Sequence, residues 1–397
     1  MIAPGEALAI VLRNTPRLEA VEVPLLEAVG ACLAEPVASD LDLPPFDKSA
    51  MDGYAVRAGD VAETPAELAV IEELPAGVAP TKAVGPGQCA KIMTGAPVPA
   101  GADRVVMVED TEPAGQRRVR ILAADPGKRN ICRRGEDVRQ GQTVLDAGCV
   151  VRAAEVGLLA SVGRDRVRIH RRPHVAVLGT GDELVPIAET PGPGRIRDSN
   201  SWSLTACCRL AGAQVERLGV AKDTEDDLRE RIGAGLARDV LLVSGGVSMG
   251  EWDLVPKVFD EFGVTVHFAA VRMKPGKPTV FATRAGRLVF GLPGNPVSTL
   301  VAFRLFVWPA LRKMMGHADP APPPVQGTLT AALKARGSRT TFLPVRLSRK
   351  DRAWTIEPVT THGSADLVSF TRADALAILE PGPYEAGATV PAVPLDL

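Results

Sequence analysis

One stretch limits what this chain can fold into more than any other: Asp239-Val-Leu-Leu-Val-Ser-Gly-Gly-Val-Ser-Met-Gly-Glu-Trp-Asp253. Residues 240–243 are four apolar, strand-forming side chains in a row, a run that suits a central strand covered on both faces. Ser244-Gly245-Gly246 follows at once, and a helical pattern begins near Asp253. Strand, glycine turn and helix in that order place backbone N–H groups at the carboxyl edge of a sheet. Open α/β sheets bind ligands at that edge, and helix N-termini there favour anions. Glycine is equally the default residue for a bare corner with φ > 0, so the rest of the chain has to decide.

Taken in order, residues 4–35 read as mostly helical, with Ala7, Ile10 and Val11 on one face and Leu25, Val29 and Leu33 on a second. Residues 55–145 alternate short apolar runs with Gly and Pro turns, the pattern of a β-rich module. Helix returns over 146–170, clearest at 153–161. From His174 onward, apolar strand runs at 175–178, 215–220, 240–243, 264–271, 280–281 and 288–290 alternate with helical patterns, which predicts a doubly wound, largely parallel sheet. Pro296 opens a long helix to Met315. Asp319-Pro-Ala-Pro-Pro-Pro324 is a stiff linker, and the alternating runs beyond it predict a small β-barrel. The expected fold class is therefore α/β multidomain. A helical domain spans 1–42 plus 146–172, a β-rich arm 43–145, a doubly wound α/β domain 173–318 and a C-terminal β-barrel 325–397.

Composition removes several functions. The net charge of −1 argues against a basic nucleic-acid footprint, and few aromatics argue against a base-stacking platform. No apolar run approaches membrane-span length, and Met1-Ile-Ala-Pro-Gly-Glu6 does not resemble a signal peptide. Six cysteines without a C-x-x-C pair, and only five histidines, make a zinc cage a poor reading; reduced thiols in a cytoplasmic protein suit them better.

Four loops leave strand ends: Gly179-Thr-Gly-Asp-Glu183, Ser244-Gly-Gly-Val-Ser-Met-Gly250, Lys274-Pro-Gly-Lys-Pro278 and Gly291-Leu-Pro-Gly-Asn-Pro296. Loops that converge on one sheet edge build one pocket. Glycines expose N–H groups, while Lys274 and Lys277 add two cations on a turn stiffened by proline. That is an oxyanion site. Glu183, Asp223 and Asp253 are carboxylates near strand ends, suited to Mg²⁺ bridging a phosphate. Neither a G-x-x-x-x-G-K-[ST] loop nor a well-formed G-x-G-x-x-G is present, which disfavours a P-loop NTPase and an NAD enzyme.

Phe46-Asp-Lys-Ser-Ala-Met-Asp-Gly-Tyr-Ala55, Met93-Thr-Gly-Ala-Pro97, Arg134-Gly-Glu-Asp137, Thr180-Gly-Asp-Glu-Leu184, the Ser244–Asp253 stretch, Lys274-Pro-Gly-Lys-Pro278 and Gly291-Leu-Pro-Gly-Asn-Pro-Val-Ser298 occur in family order. With them the chain resembles the molybdopterin molybdotransferases, a family that includes the E domain of gephyrin. Cys132 departs from the pattern, standing where the family more often has arginine. The resemblance implies an elongated homodimer. It implies adenylylated molybdopterin and molybdate as substrates, a divalent ion such as Mg²⁺, hydrolysis of the adenylyl bond and transfer of molybdenum to the dithiolene. Partners would include a molybdopterin adenylyltransferase and molybdoenzyme-maturation proteins. The implied catalytic residues are Asp52, Thr94, Glu183, Asp223 and Asp253, the last three as metal ligands. Substrate would meet Ser244, Gly245, Gly246, Ser248, Lys274, Lys277, Pro293, Asn295, Pro296 and Ser298, with Arg346 and Ser364 from the C-terminal domain. A non-catalytic scaffold and a competence- or nicotinamide-type hydrolase are the competing readings. A free-standing chain disfavours the first; the β-rich arm and the barrel disfavour the second.

Overall fold

The computed structural model describes residues 1–246, 254–321, 323–350 and 353–395. The chain divides into two compact units. The smaller comprises Pro36–Asp146 and Ala154–Asp165, and the larger Met1–Glu35, Ala147–Ala153 and Arg166–Leu397.

The larger unit opens with helix α1 (Pro4–Asn14), whose Pro4 sits in the first turn and whose Ala7 and Val11 are fully buried. The helical reading of residues 4–35 stops there. Strand β1 (Ala20–Pro24) and a single 3₁₀ turn, Leu25–Ala28, follow. β1 runs antiparallel to a later strand, Arg166–His170, in register Ala20 with His170. Val21 and Val23 alternate with Glu22, the period-2 pattern of a strand, so tertiary pairing decided the conformation of this short segment.

The smaller unit is a six-stranded sheet: β2 (Gly53–Val56), β3 (Ala66–Leu74), β4 (Gln88–Ile92), β5 (Arg104–Met107), β6 (Thr111–Pro113) and β7 (Arg118–Ile121). They lie in the order β5-β2-β4-β3-β7-β6. Alternation sends Ala55, Ala90 and Ile92 into one apolar cluster and Val56, Cys89 and Val119 into another. A helix, α2 (Ala153–Ser161), follows the sheet in sequence.

Back in the larger unit, β8 (Arg166–His170) leads into a second six-stranded sheet. Its strands are β9 (His174–Thr180), β10 (Gln214–Ala221), β11 (Val240–Ser244), β12 (Thr265–Phe268), β14 (Val280–Arg284) and β15 (Arg287–Leu292), in the order β10-β9-β11-β15-β14-β12. β10, β9, β11 and β15 are mutually parallel; β14 and β12 add an antiparallel edge. All five residues of β11 are buried, as its unbroken apolar run requires. Leu242 faces α3 (Asn200–Leu210) and the helix that Pro296 opens, while Leu241 and Val243 face α4 (Glu225–Gly235) and α5 (Val255–Glu261). Each such leucine contributes about 1.5–3 kcal/mol by leaving water. The helix opened by Pro296 runs as α6 (Pro296–Ala302), a π-helical turn at Phe303–Val307, and α7 (Trp308–Met314).

Beyond residue 324, strands β16 (Val325–Leu329), β17 (Thr340–Lys350), β18 (Ala353–Pro358), β19 (Ala375–Leu379) and β20 (Thr389–Pro394) close into a five-stranded barrel, because β17 pairs with both β18 and β19. A two-residue strand, β13 (Met273–Lys274), pairs in parallel with β17 at Thr340–Thr341. That pairing ties the lysine turn of the α/β domain to the barrel.

Candidate functional site

Parallel register brings the carboxyl ends of three neighbouring strands level: Gly179 of β9 faces Ser244 of β11, and Ser244 faces Leu292 of β15. The loops that follow therefore emerge side by side. Gly245 shows why this turn is glycine. Its φ is +94°, and a Cβ there would lie 2.4 Å from the carbonyl oxygen of Thr180. Only the absence of a side chain lets the β11 turn press against the end of β9. Gly245 N–H donates to the Leu292 carbonyl at 3.1 Å, locking the turn to β15 as well.

The loops line two neighbouring cavities rather than the single pocket expected. The first, about 560 Å³, is lined by Thr180, Glu183, Asp223, Ser244, Gly245 and Gly246, and by Pro293, Asn295 and Pro296 along one side. Its charged lining is Glu183, Asp198 and Asp223 against one cation, Arg197, so the balance is acidic. Asp182 and Asp223 tie their loops together reciprocally: Asp182 N–H donates to Asp223 Oδ2 at 3.4 Å and Asp223 N–H to Asp182 Oδ1 at 3.3 Å. The second, about 800 Å³, is lined by Lys274, Lys277, Ser298 and Ser364 together with Lys334, Arg336, Arg339 and His362. It is strongly cationic. Pro278, Pro293, Gly294 and Asn295 belong to both linings and form the shared wall.

Hydrogen bonds fix that wall. Asn200, at the start of α3, donates through Nδ2 to Ser244 Oγ at 2.9 Å and to the Gly294 carbonyl at 2.8 Å, joining two strand-end loops. Asn295 Nδ2 donates to Ser364 Oγ at 2.9 Å, and Val297 N–H to the Ser364 carbonyl at 3.0 Å, so the barrel loop is held against the first turn of α6. The lysine turn is equally constrained: Val271 N–H and Thr279 N–H both donate to the Lys277 carbonyl, at 3.0 and 2.9 Å.

The remaining sequence-derived residues fall elsewhere. Arg346 lines neither cavity; its Nε donates to the Arg372 carbonyl at 3.2 Å on the barrel. Arg339 occupies the cationic cavity instead, anchored by Nη1 to the Met273 carbonyl at 3.3 Å. Arg339 directly precedes the Thr340 that pairs with Met273, so only the long-range β13–β17 register could have found it. Asp52 and Thr94 lie in the smaller unit, where Thr94 N–H and Oγ donate to Asp52 Oδ1 at 2.6 and 2.8 Å. Those two bonds, the backbone one first, hold the Asp52 carboxyl below its ordinary range. Ser248 and Asp253 lie outside the described residues.

Among the described residues no group of three or more His, Cys, Asp or Glu side chains is arranged to hold a metal ion, and Asp253, the third of the expected ligands, lies outside those residues. Glu183 and Asp223 nevertheless line one cavity. Mg²⁺ is commonly held by one or two carboxylates plus substrate phosphates and water, without an all-protein cage. Two hard oxygen donors in the cavity that the glycine turn also lines fit that ion.

Comparison with known proteins identifies the family. Residues 2–163 match the "MoeA N-terminal region (domain I and II)", residues 176–313 the "Probable molybdopterin binding domain" and residues 326–395 the "MoeA C-terminal region (domain IV)". The chain belongs to the MoeA family. A molybdopterin molybdenumtransferase of Nostoc sp. is 37% identical over 387 residues, covering 94% of this chain and 88% of that protein. The Bacillus subtilis protein of the same name is 34% identical over 378 residues, covering 93% and 88%. A crystal structure of a molybdopterin biosynthesis MoeA protein from Pyrococcus horikoshii superposes with a TM-score of 0.83 at 32% identity, covering 100% of this chain and 99% of that one. The MoeA assignment thus rests on all three matched regions and on full-length relatives alike.

Proposed function

We propose that this MoeA-family protein completes the molybdenum cofactor by transferring molybdenum from molybdate to molybdopterin presented in adenylylated form, with hydrolysis of the adenylyl bond. The observation that carries this reading is the pair of cavities of opposite character on either side of one wall. Molybdate is a tetrahedral dianion and belongs in the cationic cavity, held by Lys274, Lys277 and Arg339 with hydroxyls from Ser298 and Ser364. The phosphate of the pterin substrate belongs at the Ser244-Gly245-Gly246 turn. Pro293–Asn295, shared by both, lies between the metal donor and the acceptor.

Glu183 and Asp223, with Asp253, would hold Mg²⁺ at the adenylyl phosphate, where a divalent ion polarises the phosphoryl group. Glu183 and Asp223 would also orient the hydrolytic water by accepting its hydrogens. Asp52 and Thr94 would complete the site from a partner chain in a homodimer. Six free cysteines accord with a reducing compartment, which the cytoplasm provides.

Titration of the protein with molybdate tests the oxyanion assignment. Lys277→Ala and Arg339→Ala should each lose about 1.5–3 kcal/mol of affinity, the worth of a charge-assisted contact. Arg346→Ala should stay within about 0.5 kcal/mol, as expected of a residue away from the site. Equal losses in all three, or none, would remove molybdate from this cavity.

A further inference from the structure

The cationic cavity carries one group that anion binding does not use. His362 lies on the barrel loop 361–365, whose Thr361, His362, Gly363 and Ser364 all line that cavity. Its imidazole Nδ1 sits 3.2 Å from Asp366 Oδ2, and its backbone N–H donates to the same oxygen at 3.0 Å. Asp366 is in turn fixed by Ser369, whose backbone N–H donates to Oδ1 at 3.0 Å and whose hydroxyl donates to Oδ2. The Asp366 side chain is largely covered, at 14% exposure, whereas the His362 ring is 89% exposed. A half-buried carboxylate, held by four hydrogen-bond contacts from His362 and Ser369, therefore orients an accessible imidazole. With Nδ1–H donated to Asp366, the free nitrogen is Nε2, the arrangement that equips a histidine to accept and return a proton.

We propose that His362 is the proton carrier of molybdenum insertion, with Asp366 as its positioning residue. This rests on the placement of molybdate in the Lys274–Lys277 cavity. The reaction of a dithiol with a molybdate dianion gives a trioxo-molybdenum(VI) dithiolene dianion and one water. Two Mo–S bonds form, one Mo–O bond breaks, and both thiol protons leave with the departing oxygen. Molybdenum stays at +6, so no oxidant or reductant enters. Oxide is a poor leaving group until it is protonated, and the lysines and arginines around it hold the oxyanion without supplying that proton. His362 Nε2 takes a proton from a thiol and delivers it to the leaving oxygen, twice per turnover.

The test uses the full chain. Molybdate affinity is measured by calorimetry, and turnover by molybdenum insertion into adenylylated molybdopterin. Because the His362 ring is exposed, His362→Ala should fold normally, bind molybdate within twofold of the parent, and turn over about 100-fold more slowly, within the range of a lost general acid–base group. Free imidazole should restore a large part of the lost rate in His362→Ala and do nothing for Lys277→Ala. Turnover of His362→Ala within twofold of the parent, or a loss that imidazole leaves untouched, overturns the proposal while the oxyanion assignment stands. Molybdate affinity that is unchanged in Lys277→Ala overturns that assignment and the proton role with it, and calorimetry separates the two failures.

Discussion

At the scale of single residues, the site is built by what is missing as much as by what is present. A methyl at Gly245 would meet the Thr180 carbonyl at 2.4 Å in a backbone conformation with φ +94°. Backbone against backbone cannot yield as two side chains can. Gly245→Ala should therefore destabilise the protein by about 1–3 kcal/mol, the cost of a strained position of this kind, and should part the β11 turn from β9. Thermal unfolding read beside pterin binding checks it: a melting temperature and a binding constant both unchanged would show that the turn relaxes freely. Gly77, also at positive φ but with nothing near its absent Cβ, is the fitting control for backbone conformation alone.

At the scale of elements, burial decided what could be read in advance. β11 and β9 are buried along nearly their whole length, so their apolar runs announce them. The helix opened by Pro296 is similarly plain, although its π-helical turn at Phe303–Val307 leaves no mark in the apolar pattern. Residues 20–28 misled because the helical spacing of Leu25, Val29 and Leu33 was extended back over a segment whose Val21 and Val23 alternate as a strand, paired with Arg166–His170. The cavity wall shows the same limit. Lys274 and Lys277 were legible from their turn, whereas Arg339 needed the β13–β17 pairing, and Asn200 needed the fold to bring Ser244 and Gly294 within its reach. Asn200 yields its own prediction. Asn200→Ala leaves the buried Ser244 hydroxyl and the Gly294 carbonyl without this donor, a loss of about 1–3 kcal/mol. Because the wall it braces is common to both cavities, molybdate and pterin affinities should weaken together, whereas Lys277→Ala should weaken molybdate alone. Equal pterin and molybdate constants in parent and Asn200→Ala would mean that the wall stands without this clamp.

At the scale of the whole molecule, the proposed machinery is divided. Asp52 and Thr94 belong to one compact unit, and the lysine, glycine and carboxylate loops to the other. The smaller unit is interrupted in sequence: the chain leaves the larger unit at residue 35, returns at Ala147–Ala153, and crosses once more before Arg166. A sheet carried on such crossings is tethered to the larger unit at several points in the sequence. We predict that each active site takes Asp52 and Thr94 from one protomer and Lys274 and Lys277 from its partner. Asp52→Asn and Lys277→Ala should each be inactive as homodimers. In a mixed dimer with shared sites, one site collects both lesions and the other carries neither, so about half the parent activity per dimer returns. Were each site built within one chain, every site of the mixed dimer would carry one lesion and activity would stay absent. Co-expression with two different affinity tags, tandem purification of the mixed species and an assay of molybdenum insertion decide between these arrangements, and absence of recovery in a confirmed mixed dimer would place Asp52 and Lys277 in the same chain's site.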